Sequence, residues 1–184
     1  MSLRRSVAGY RIVEFLVSKP TVWSLQGKMP SVLFVCTANQ FRSPLCAALF
    51  LKQLKENRTE NAWKVESAGT WVPRKSGAHP EAINQANRLG VDLSRHETRE
   101  VSRLLLEGVD LVVVMTQNQK EALQVEFEDL AQKIKDLPEL TGKRHVNISD
   151  PAEEGFRNSA AIADELQMEI TEAYPILVKT LRGN

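Results

Sequence analysis

Cys36, Arg42 and Ser43 share one short stretch, VCTANQFRSP, at 35–44. A thiol, a guanidinium and a hydroxyl at that spacing can do phosphorus chemistry if the chain between them curls around a point. A tight loop aims its backbone N–H groups inward and becomes an anion cradle, helped by the positive end of a following helix. Arg42 supplies a two-pronged grip on phosphate oxygens. Cys36, at the start of the loop, faces the same point. The amides, the helix end and the arginine all favour its thiolate, and Ser43 can add a hydrogen bond to the sulfur. The expected result is a nucleophile aimed at the phosphorus of a bound phosphate. Taken alone, the three positions are a weak signal, because a cysteine at a strand end is more often a small core residue. The flanking pattern favours chemistry.

That pattern is a buried strand before the loop and a helix after it. SVLFV (31–35) is a continuous apolar run, as in a central parallel strand covered on both faces. Pro44 suits the first position of a helix, where its missing N–H costs nothing. Ala47, Phe50, Leu51 and Leu54 then recur as one apolar face. Further along, the sequence predicts strands at 64–69, 110–115 and 133–137. Helices are predicted at 80–89, 98–107 and 117–131, and a last one over 155–181. Pro175 lies inside that last helix and is expected to kink or break it, at about 3 kcal/mol. Alternating strands and helices imply an α/β fold with a parallel sheet, whose sites lie at the carboxyl ends of its strands.

The 184 residues suffice for one domain with a full core. A formal net charge of +1 gives no field that would favour nucleic acid or a membrane surface. No apolar run approaches the roughly 20 residues of a membrane span. There is no CxxC, HExxH or Cys/His cluster, so neither a metal nor another cofactor is expected. Two cysteines, Cys36 and Cys46, do not make a secreted disulfide scaffold, and a cytoplasmic location is expected. Residues 1–29 read as an N-terminal extension, a short amphipathic helix on Val7, Tyr10, Val13 and Val17 followed by a linker. Residues 30–184 read as the domain proper.

VLFVCTANQFRSPLCAALF resembles the signature of low-molecular-weight protein tyrosine phosphatases and the related arsenate reductases. The likeness continues through SAGTW (67–71), GVDLSRHETREV (90–101), DLVVVMT (110–116) and DPAEEGF (150–156). It implies a three-layer αβα fold with a four-stranded parallel sheet in flavodoxin-like order 2-1-3-4. By position, Cys36 would be the nucleophile, Arg42 the phosphate clamp and Ser43 the partner of the thiolate. Asp150, before Pro151, would be the general acid. Thr37, Ala38, Asn39, Gln40 and Phe41 would complete the phosphate-binding loop, with Asn39, Ser67 and His96 bracing it. The implied activity is hydrolysis of phosphate monoesters on a phosphorylated protein or peptide, phosphotyrosine above all. It runs through a phosphocysteine, with inorganic phosphate or another oxyanion able to occupy the loop. Protein arginine phosphatase activity and a non-catalytic phosphate-binding module are the alternatives. Arsenate reduction is disfavoured, since no cysteine follows Cys46.

The sequence departs from the family pattern at four places. Ala38 replaces a usual Gly, and Phe41 replaces a second loop cysteine. Gln40 replaces an aliphatic or a Thr. Ala152 and Glu153 replace aromatics after the Asp-Pro, leaving Trp71 or Phe156 as candidates for a wall of the site.

Overall fold

The computed structural model describes residues 29–143 and 146–182; the amphipathic helix expected near the N-terminus lies outside them. Strand β1 (Ser31–Cys36) leads into α1 (Arg42–Glu56), and β2 (Lys64–Gly69) is followed by α2 (Pro80–Arg88) and the short α3 (Arg103–Glu107). Then come β3 (Leu111–Val114), α4 (Gln117–Glu126), β4 (Ile134–Asp136), α5 (Leu137–Leu140) and the long α6 (Ser159–Arg182). The four strands form one sheet in the order β2-β1-β3-β4. All neighbouring pairs are parallel, with Cys36 level with Gly69 at the carboxyl edge.

Strand parity sorts the core into two layers. Val32, Phe34 and Cys36 point to the side of α1, α2 and α6, with Leu45, Phe50, Leu166 and Ile170. Leu33 and Val35 point to the other side, with Leu106 of α3 and Leu123 of α4. Because successive side chains on a strand alternate faces, Cys36 necessarily emerges on the side from which α1 returns.

Several expected boundaries shift. Helix α1 begins at Arg42, so Pro44 is its third residue rather than its first. Its missing N–H is still among the four that a helix start leaves unbonded. The buried stripe of α1 uses Leu45, Cys46 and Leu49 beside Ala47, Phe50 and Leu54, whereas Leu51 is 38% exposed. The helix expected at 98–107 is confined to α3. Residues ahead of it are extended because Gly69 N–H donates to Arg99 O and Val101 N–H donates back to Gly69 O. The helix expected at 117–131 ends at Glu126 and passes into a 3-10 segment, Glu128–Lys133. Helix α6 starts at Ser159, because Pro151–Glu154 forms its own 3-10 turn and Gly155 and Phe156 turn left-handed. It runs unbroken through Pro175, with packing on both sides of the proline through Ile170, Ala173 and Leu177 outweighing the lost bond.

Candidate active site

Residues 36–43 wrap from the end of β1 into the first turn of α1. Helix α1 has no side-chain cap and no acidic residue in its first turn. Its first N–H groups are therefore uncapped by any side chain at the point where an anion would sit. Asn39 makes the sharp bend, with φ +56°, a left-handed conformation that asparagine tolerates better than most residues. Gly69 at the end of β2 permits the wrap. A Cβ there would lie 2.5 Å from Thr37 O and 3.0 Å from Ala38 C.

The hydrogen bonds around Asn39 leave it no freedom. Its Nδ2 donates to Ser43 Oγ and to Ser67 Oγ, each at 2.9 Å. Its Oδ1 accepts from Arg99 N–H at 3.1 Å, and its carbonyl lies 2.7 Å from His96 Nε2. The supporting residues expected from the sequence thus converge on Asn39. Burial holds the His96 ring below its ordinary pKa; the bond to the Asn39 carbonyl opposes this, and the charge of Arg99 reinforces it. The neutral ring donates from Nε2.

Cys36 Sγ lies 3.1 Å from Ser43 Oγ, and Ser43 Oγ is also 3.1 Å from Ala68 O. Ser43 has one proton for two acceptors. When Cys36 is a thiolate it has no proton to give, so Ser43 must donate to the sulfur. Arg42 is 3% exposed and held from three sides. Its Nη1 donates to Ile148 O at 3.0 Å, and its Nη2 donates to Thr37 Oγ1 at 3.3 Å and to the Asp150 carboxylate. The other carboxylate oxygen of Asp150 accepts from Ala152 N–H at 3.2 Å, capping the turn that Pro151 opens. Asp150, from a distant segment, is thus bonded to Arg42 of the loop that Cys36 opens at the carboxyl edge of the sheet.

Gln40 Nε2 donates to Ser76 Oγ at 2.8 Å, and Phe41 is buried. A recess of about 270 Å³ opens between Ala38 and Gln40 on one side and Trp71, Val72, Pro73 and Arg74 on the other. Trp71 is 64% exposed there, whereas Phe156 is stacked against His79. Some participants were not singled out from the sequence. Gln119 Nε2 donates to Thr37 Oγ1 at 3.1 Å while its Oε1 accepts from Met115 N–H, and Arg99 Nε donates to Ser67 O. Gln119 lies within MTQNQK just after an apolar strand, so its place at the carboxyl edge was the available signal. Arg99 had none. Among the described residues no group of His, Cys, Asp and Glu could hold a metal, and no helix is long and apolar enough to cross a membrane.

A family model described as low molecular weight phosphotyrosine protein phosphatase matches residues 31–183. The chain belongs to this family. Among phosphatases of this group, the protein-arginine-phosphatase of Bacillus subtilis is 30% identical, over 82% of this chain and 96% of its own. The crystal structure of a low molecular weight protein tyrosine phosphatase from T. tengcongensis superposes with a TM-score of 0.71. It is 30% identical and covers 78% of this chain and 96% of its own. A mutant YwlE arginine phosphatase with a phosphorylated active-site serine gives a TM-score of 0.73. It is 28% identical and covers 83% of this chain and 98% of its own.

Proposed function

We propose that the protein hydrolyses phosphate monoesters of phosphorylated proteins, phosphotyrosine first, with Cys36 as nucleophile and Asp150 as general acid. The observation that carries this reading is the Cys36 sulfur 3.1 Å from Ser43 Oγ, in a loop whose Arg42 is bonded to Asp150.

The thiolate attacks phosphorus in line. A P–S bond forms as the ester P–O bond breaks, and Asp150 gives its proton to the departing oxygen. Water then attacks the phosphocysteine, Asp150 takes a proton from it, and the P–S bond breaks to return the thiolate and inorganic phosphate. The cradle amides and Arg42 hold the charge on the equatorial oxygens. Arg42 Nη2 is bonded to Thr37 and Asp150. A phosphate oxygen competes for that donor and frees the carboxyl group to face the leaving atom. Free thiols at Cys36 and Cys46 support a cytoplasmic setting.

Phosphoarginine is the second substrate to test. Thr37, held by Gln119, is a polar flank of the cradle, and Ala152 and Glu153 offer no aromatic wall for a phenol. The kinship to an arginine phosphatase favours the same choice.

The test is turnover of phosphotyrosine and phosphoarginine peptides by the wild type and by Cys36→Ser. The variant is expected to lose all turnover while still binding vanadate. Undiminished activity in Cys36→Ser excludes the phosphocysteine route, and the faster peptide names the substrate class.

A further inference from the structure

Phe156 stands at the far end of the segment that begins with Asp150. Gly155 and Phe156 are both left-handed, with φ of +57° and +65°. For a phenylalanine that backbone is costly and persists only where its surroundings hold it. Here the holding contact is clear. The Phe156 ring stacks on the His79 ring, with centroids 3.6 Å apart and planes 6° from parallel. Its neighbour on the cradle side is Phe41, with centroids 6.1 Å apart.

His79 is itself anchored to both the cradle and α2. Its N–H donates to Gln40 O at 2.9 Å, and its Nδ1 accepts from Glu81 N–H at 3.2 Å as the N-cap of α2. Pro151 of the segment 150–156 is buried, but the segment has few polar ties to the rest of the fold. Among the described residues its hydrogen bonds are internal or run to adjoining residues, apart from Asp150 to Arg42. That single link is the one a bound phosphate contests. When the substrate takes Arg42, the aromatic stack remains.

We propose that Phe156, stacked on His79, is a positioning residue that holds the acid-bearing segment over the phosphate cradle, so that Asp150 meets the leaving atom. The inference rests on Asp150 being the general acid. It also assigns Phe156 a structural link in place of a substrate wall, because one ring face is already taken by His79.

A positioning role has a kinetic signature that plain destabilisation lacks. General acid catalysis matters most for a poor leaving group, so phenyl phosphate reports on Asp150 more than p-nitrophenyl phosphate does. Phe156→Ala is expected to lose at least about tenfold more kcat on phenyl phosphate than on p-nitrophenyl phosphate. Vanadate affinity should stay near wild type, and Phe156→Tyr, which keeps the ring, should restore the rate. In an Asp150→Asn background, Phe156→Ala should cause no further loss on phenyl phosphate, since the two act through one step. If Phe156→Ala does not fold, His79→Asn keeps the capping acceptor, removes the ring and should give the same leaving-group signature. Equal losses on both esters, or full additivity with Asp150→Asn, overturn the proposal while wild-type activity stands. A wild type inactive on both esters overturns the enzymatic reading itself, and the proposal with it.

Discussion

Cys36 and Cys46 are both buried, yet their surroundings differ. Cys46 packs inside the core on α1, fully covered. Burial pushes its thiol well above the ordinary value. The nearby Cys36 and Glu169 charges push the same way, and Arg42 opposes them only in part. At neutral pH Cys46 therefore stays protonated, and a protonated thiol is a poor nucleophile. Cys36 instead sits at the carboxyl edge of the sheet beside the Ser43 hydroxyl. Iodoacetamide at pH 7 is expected to label Cys36 in the folded protein and Cys46 only after unfolding, with vanadate protecting Cys36. Mass spectrometry of the labelled peptides reads this out, and comparable labelling of both in the native state contradicts it. Phe41 stands in the loop in place of a second cysteine, so the loop itself offers Cys36 no disulfide partner.

At the scale of elements, the site depends on how closely two backbone segments approach. The end of β2 lies against the cradle loop, with Thr70 N–H donating to Cys36 O and Trp71 N–H donating to Thr37 O. Gly69 is what allows the approach. An added methyl would sit 2.5 Å from Thr37 O and 2.7 Å from Val72 Cγ2. The oxygen is backbone and cannot swing away, so the loop itself must move. Gly69→Ala is expected to lower stability by about 1–3 kcal/mol, the usual cost of overpacking. Catalytic efficiency should fall more than tenfold, about what a small misplacement of the cradle can cost. Urea denaturation and steady-state kinetics test this together; a variant with wild-type kcat/KM shows that the cradle does not rely on this contact. The same pairing accounts for the shortened α3. Residues 98–102 have the composition of a helix start, but Arg99 and Val101 are drawn into bonds with Gly69.

At the scale of the molecule, the hydrogen-bonded braces of the loop tie its integrity to pH. His96 is half-buried and held neutral, chiefly by desolvation. A histidine whose folded pKa is lowered binds protons better unfolded than folded. Its stabilising contribution is therefore complete above the unfolded value of about 6.5 and declines as pH falls below it. The urea midpoint should drop between about pH 6.5 and 5.5, and His96→Asn should show a shallower decline. Parallel declines in both proteins assign the effect to other groups.

Much of this architecture could be read from residue order alone. Apolar runs of strand length at 31–35 and 110–115, each followed by a helical pattern, determined a parallel sheet. A thiol at one strand's carboxyl end, followed by Arg-Ser-Pro and set between a strand and a helix, pointed to the place where chemistry is proposed. Periodicity is a local property, so it survives without knowledge of partners. What the tertiary structure alone decided was contact between distant segments. Asp150 reaches Arg42 from another loop, and Gln119 reaches Thr37 from α4. Gly69 makes room for the cradle, and Phe156 finds His79. None of these pairs leaves a periodic trace, because each is set by the closing of the fold and not by the conformational preference of either residue.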